Sequence, residues 1–127
     1  MGYALAKAAQ VAGAQVTLVS GPVTLAAPHG ISCVMVQSAV EMHEAVMHHL
    51  EKDMVVIGCA AVADYRPETS VNQKIKKQTQ DMNLTLKQNP DIIADVAADG
   101  RAALVIGFAA ETENVLAYAK DKRKAKR

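Results

Sequence analysis

The sequence has no tryptophan, one phenylalanine and three tyrosines among its 127 residues. An interior must therefore be built from Ala, Val, Leu, Ile and Met, within an apolar content of 50%. There are only two cysteines, Cys33 and Cys59, both inside apolar runs. That is too few, and too widely spaced, for a disulfide framework or a four-ligand zinc site. The reading is two buried free thiols in a reducing cytoplasm. No apolar run approaches the roughly 18 residues that a membrane span needs. The opening MGYALAKAAQ lacks the basic-then-apolar order of a secretory signal. Gly2 invites N-myristoylation, but Ala6 stands where Ser or Thr is required. The chain is too apolar and too weakly charged for disorder. What remains is one domain in the cytoplasm, with no membrane partner.

The net charge of +1 conceals an asymmetry. Residues 120–127, KDKRKAKR, carry +5, and the other 119 residues carry −4. An acidic body is joined to a basic end.

Along the chain, residues 2–12 carry Leu5, Ala8, Ala9 and Ala12 at helical spacing, and Gly13 stops the helix. Residues 15–20 and 32–37 read as short strands rich in β-branched residues. Ser38 with Glu41 forms a capping box for a helix over 39–51, whose apolar stripe is Met42, Val46 and Leu50. Residues 53–61 begin as a continuous apolar strand covered on both faces. The polar segment 64–81, with Arg66, Lys74, Lys76 and Lys77, reads as a mobile loop. Residues 83–88 alternate like a short edge strand. Asn89-Pro90-Asp91 opens a helix, with Asn as cap, Pro first and Asp in the first turn. Residues 102–108 form a third buried strand, and 111–127 a long helix.

Helices alternating with apolar strands predict an α/β fold, a three-layer Rossmann-like sandwich around a mostly parallel sheet. The first helix has no strand before it, and the chain stops inside a charged helix. The expectation is a single partial domain over 1–127, incomplete at both termini. Ligands of such sheets bind beyond the carboxyl ends of the strands. Those ends are Ser20-Gly21-Pro22, Gly58-Cys59-Ala60-Ala61 with Asp64, and Gly107-Phe108-Ala109-Ala110-Glu111. Small residues there allow either tight packing or close approach of a ligand to the backbone.

The Lys74–Lys77 cluster is either solvated or brings positive charge to a phosphate. Lys122 and Lys126, four apart on one helical face, suit a polyphosphate better than a duplex. No aromatic platform stands beside them to stack bases. His43 and His48 are five apart, too splayed for a shared metal, so His43, His48 and His49 read as solvated histidines and no metal site is assigned.

Five segments taken together resemble a known family. They are Val16 to Pro22, Gly58-Cys59-Ala60-Ala61-Val62-Ala63-Asp64-Tyr65, Lys74-Ile75-Lys76-Lys77, Asn89-Pro90-Asp91-Ile92, and Gly107-Phe108-Ala109-Ala110-Glu111-Thr112. In this order they resemble bacterial phosphopantothenoylcysteine synthetase, usually the C-terminal half of a bifunctional coenzyme A biosynthesis protein. The resemblance implies a ligase. CTP activates the carboxylate of 4′-phosphopantothenate, pyrophosphate leaves, and the amine of cysteine displaces CMP from the acyl-cytidylate. It also implies that Gly58, Cys59, Ala60, Asp64 and Phe108 hold the cytidine, and that Lys74 is the catalytic loop lysine. Asn89, Pro90 and Asp91 would offer helix N-terminal amides, and Lys122 and Lys126 would face the triphosphate. Mg²⁺ would accompany CTP, whereas FMN belongs to a decarboxylase half outside this chain. Family members are dimers with composite sites, so a homo-oligomer is expected. A Ser- and Gly-rich loop containing Asn, which precedes Met1-Gly2 in the family, is absent from the 127 residues. A fragment binding CTP without turnover is the variant of this reading.

Two other classes compete. A dinucleotide-binding Rossmann domain fits the alternation, but no Gly-x-Gly-x-x-Gly follows a strand. A nucleic-acid-binding module fits the basic end, but the acidic body opposes it, so no nucleic-acid partner is expected.

Overall fold

A computed structural model describes residues 1–71, 73–76 and 82–108, with Lys120 and Lys124. The element order is α1 (Gly2–Val11), β1 (Thr17–Ser20), β2 (Ser32–Met35), α2 (Ala39–His49), β3 (Val55–Gly58), β4 (Tyr65–Pro67), β5 (Leu86–Gln88), α3 (Ile92–Asp99) and β6 (Leu104–Gly107). The predicted helix over 111–127 lies outside the described residues, apart from Lys120 and Lys124.

The strands form parallel pairs where the sequence is apolar. β1 runs parallel to β2, from Thr17↔Ser32 to Ser20↔Met35. β3 runs parallel to β6, from Val55↔Leu104 to Gly58↔Gly107. Among the described residues these are separate two-stranded ladders, accompanied by an antiparallel β4–β5 ribbon. The architecture is the predicted α/β one with mostly parallel strands.

The layering follows from the pleat, because successive residues leave a strand on opposite faces. At the end of β1, the Ser20 hydroxyl meets the Tyr3 hydroxyl of α1 at 3.0 Å. Gly21 turns the other way, toward Met42 of α2. At the end of β3, Gly58 faces Ile93 of α3, and Cys59 lies against Gly2 of α1. So α1 lies on one face of the strands, and α2 and α3 on the other. The three-layer arrangement is present.

Local chemistry explains the helix ends. In α2, Ser38 Oγ accepts from the Glu41 amide at 3.2 Å, and Glu41 Oε2 accepts from the Gln37 amide at 2.9 Å. This is the predicted capping box, its return bond taken one residue earlier. Gly13 adopts φ +91°, and its amide donates to Gln10 O, closing α1. That left-handed conformation favours glycine.

Several expectations are corrected. The buried residue of α1 is Ala6, while Ala8 and Ala12 are exposed. The helix meets the strands through Gly2 and Tyr3, which rotates its inner face away from the predicted stripe. Among the described residues, one side of strand β3 stays largely open. Val55 is 58% exposed, Ile57 40% and their neighbour Leu104 52%. Among the described residues α1 reaches the face away from α3 only at Cys59, past the end of the strand. Cys33 and Cys59 are free but half-buried rather than fully buried. Residues 65–67 of the predicted loop form β4, because β5 supplies a partner that polarity alone does not reveal.

His43 also departs from its predicted solvated state. Its Nε2 lies 2.8 Å from Asp95 Oδ2 and joins α2 to α3. His49 Nδ1 sits 2.9 Å from Ala45 O within its own helix. Among the described residues, no three His, Cys, Asp or Glu groups converge as a metal site.

Candidate functional site

Of the candidate residues, Gly58, Cys59, Ala60 and Phe108 lie at the carboxyl ends of β3 and β6. Gly58 and Gly107 are register partners. Both face the first turn of α3, where a Cβ on Gly58 would overlap Ile93, with Ile93 Cγ1 only 3.0 Å away. A Cβ on Gly107 would meet Ile93 Cγ2 at ordinary contact, 3.8 Å. Gly58 is thus a packing residue first. Its missing side chain lets α3 bring its N-terminus to the strand ends. Cys59 and Ala60 follow directly, and Phe108 follows Gly107 with 53% of its surface exposed. The backbone after β3 and the backbone after β6 therefore leave the pair side by side.

The cap of α3 differs from the prediction. Asp91, not Asn89, is the N-cap, and its Oδ1 accepts from the Ala94 amide at 3.1 Å. The helix starts two residues later because an Asp oxygen reaches the third helical amide from this position. Asn89 does other work. Its amide nitrogen donates to Asp64 O at 2.8 Å. Its carboxamide donates to Ala63 O at 2.8 Å and accepts from Arg66 Nη1 at 2.8 Å. Asp64 and Asn89, 25 positions apart in the sequence, are thereby joined. Pro90 is half-buried beside them.

Lys74 is exposed and lies in the connection between β4 and β5. Lys122 and Lys126 lie outside the described residues. Sequence reasoning missed Arg66 and Ile93. Arg66 gave one signal: it directly follows Asp64-Tyr65, and a cation two residues from a candidate carboxylate invites a partner. Ile93 gave none, since its role is the space that Gly58 leaves.

The amino ends of the strands are built differently. Arg101 is held by Asp99 through Nε–Oδ1 at 2.6 Å, and it also donates to Leu50 O at the end of α2. The Asp99–Arg101 hydrogen bond holds the Asp99 carboxyl below the usual carboxylate range and raises the Arg101 guanidinium. Gly100, at φ +79°, makes the turn between α3 and β6.

The family described as "DNA/pantothenate metabolism flavoprotein C-terminal domain" matches residues 1–127. The coenzyme A biosynthesis bifunctional protein CoaBC of Vibrio cholerae is 53% identical over 125 residues, covering 96% of this chain and 31% of that protein. The protein of the same name from Escherichia coli K12 is 53% identical over 127 residues, covering 97% and 31%. That from Bacillus subtilis is 45% identical over 127 residues, covering 99% and 31%. The chain thus spans about a third of the length of the curated relatives it matches. A crystal structure of the C-terminal domain of coenzyme A biosynthesis bifunctional protein CoaBC superposes with a TM-score of 0.84 at 42% identity, covering 98% of this chain and 58% of that one. With its whole length matched by the family pattern and half its residues shared with such relatives, the chain belongs to the DNA/pantothenate metabolism flavoprotein C-terminal domain family.

Proposed function

We propose that this chain carries the ligase chemistry of coenzyme A biosynthesis, joining 4′-phosphopantothenate to cysteine at the expense of CTP. One observation carries the reading. The backbone after Gly58, the Phe108 ring, the Asp64–Asn89 junction and the N-terminus of α3 share one end of the β3–β6 pair. In open α/β sheets this is where nucleotides bind. The relatives' printed names, which specify coenzyme A biosynthesis, support the substrate class.

The reaction balances in two displacements. A carboxylate oxygen of 4′-phosphopantothenate attacks the α-phosphorus of CTP, and the bond to pyrophosphate breaks. The amine of cysteine then attacks the acyl carbon, the bond to CMP breaks, and the amine loses a proton as the amide forms. Neither step needs a covalent enzyme intermediate. What the protein supplies is position and charge neutralisation.

The residues divide accordingly. Small side chains at Gly58, Cys59 and Ala60 leave backbone groups accessible to the cytidine, with Asp64 and the Phe108 ring beside them. The first amides of α3, after Pro90 and Asp91, favour an anionic group. Lys74 offsets the charge that develops in acyl transfer, and Lys122 and Lys126 meet the triphosphate. No three-residue cage for a metal exists among the described residues. Mg²⁺ would accompany the triphosphate, where it neutralises charge. The reading includes a homo-oligomer and a cytoplasmic setting. No described helix is long and apolar enough to cross a membrane.

Isothermal titration of the full chain with CTP and with ATP tests this. CTP is expected to bind more tightly. Equal affinity, or a preference for ATP, overturns the reading.

A further inference from the structure

Lys74 sits in the connection between two very short strands. An isolated two-stranded ribbon is marginal in water. Something must fix the β4–β5 ribbon if Lys74 is to act at a defined place. The ribbon pairs Tyr65↔Gln88, Arg66↔Lys87 and Pro67↔Leu86. Backbone bonds extend it at both ends, Glu68 N to Thr85 O at 3.0 Å and Asn89 N to Asp64 O at 2.8 Å.

Arg66 closes its base. The register sets Arg66 opposite Lys87, a like-charge pair that opposes association. The Arg66 side chain turns instead toward the start of α3. Its Nη1 donates to Gln88 O at 2.9 Å and to Asn89 Oδ1 at 2.8 Å. Asn89 passes the link on to Ala63 O, also at 2.8 Å. The half-buried guanidinium therefore ties both ribbon strands to the segment that leads into α3. These bonds are charge-assisted and stronger than neutral ones.

We propose that Arg66 is a positioning residue that fixes the ribbon, and with it the strand end from which the chain leads to Lys74, against the N-terminus of α3. The link commits both ends of the Asn89 carboxamide to protein groups. Asn89 is accordingly part of the same clasp, with one N–H and one lone pair of its carboxamide still open to a ligand. The consequence for catalysis rests on the ligase reading, whereas the clasp itself does not.

One nitrogen makes both Arg66 bonds, so a lysine ammonium can reproduce them and a methionine cannot. The test compares Arg66→Met and Arg66→Lys in the full chain. Amide hydrogen exchange and the kcat and KM for CTP are measured on each. Arg66→Met is expected to speed exchange at Glu68 and Asn89 by about tenfold, as loss of a charged hydrogen bond implies. Exchange in β1 and β2 should stay unchanged. The variant should lower kcat more than it raises KM, and Arg66→Lys should restore most of both. Unchanged exchange, acceleration spread evenly over the fold, or a lysine variant as impaired as methionine overturns the clasp. Faster local exchange with unaltered kcat overturns its link to Lys74. If the unsubstituted chain performs no CTP-dependent ligation, the ligase reading fails by itself, and the exchange pattern still decides the clasp.

Discussion

The two ends of the β3–β6 pair are built on opposite principles. At the amino ends, polar groups satisfy one another. Arg101 serves Asp99 and Leu50 O, Asp53 N donates to Arg101 O at 2.9 Å, and Ala103 N donates to Met54 O at 2.8 Å. At the carboxyl ends the residues are small, and the one phenylalanine of the chain is left half-exposed. The first end spends its hydrogen bonds on holding elements together. The second leaves space, with its ties displaced to the Arg66–Asn89 clasp at the margin. A shared strand pair thus carries a polar network at one end and small residues packed on α3 at the other.

The largest effect that would sharpen this contrast is kinetic. Lys74→Ala should lower kcat by about 10²–10³-fold, the scale for losing one charge-stabilising group. The dissociation constant for CTP should change far less. Equal loss in binding and turnover, measured by titration and steady-state kinetics, would make Lys74 a ligand rather than a catalytic group.

A packing substitution comes next. Gly58→Val drives a side chain into Ile93 and should cost about 1–3 kcal/mol in urea denaturation. Adding Ile93→Ala should recover part of that loss, since the two changes meet in one contact. A Gly58→Val protein as stable as the parent would show that α3 is not seated on Gly58.

The smallest effect belongs to the amino ends. Asp99 has a lowered pKa in the fold, so its pairing stabilises the protein above the ordinary carboxylate range. That contribution fades as pH falls through the lowered value. Asp99→Asn should therefore shift the denaturation midpoint slightly at pH 7, with the difference shrinking in acid and kcat unchanged throughout. A midpoint difference independent of pH would dismiss the pairing, and a fall in kcat would break the division between the two ends.

Much of the fold was legible because it depends on neighbours in sequence. The apolar β-branched runs place β1, β2, β3 and β6 within a few residues. Ser38 and Glu41 announce α2, since a capping box is complete within four positions. The alternation of elements implies a parallel α/β sandwich. The site was legible as motifs but not as geometry. Gly58 and Phe108 are marked by their place after apolar runs, whereas the pairing of Gly58 with Gly107 depends on register. Asn89 looked like a cap because Asn-Pro-Asp contains two competent capping residues. The three-dimensional course chose Asp91 and spent Asn89 on Ala63 and Arg66.

The sequence by itself determined the three described helices and the four parallel strands, where the small residues lie and that the charge is divided between body and end. These follow from periodicity, capping and composition, which act over a few residues. Only the tertiary structure decided that Tyr65–Pro67 is a strand, that His43 meets Asp95, that α3 rests on Gly58 and that Arg66 holds Asn89. Each of these joins residues 19 or more positions apart. Such contacts form only when chain closure brings the partners together, and no local pattern encodes that meeting.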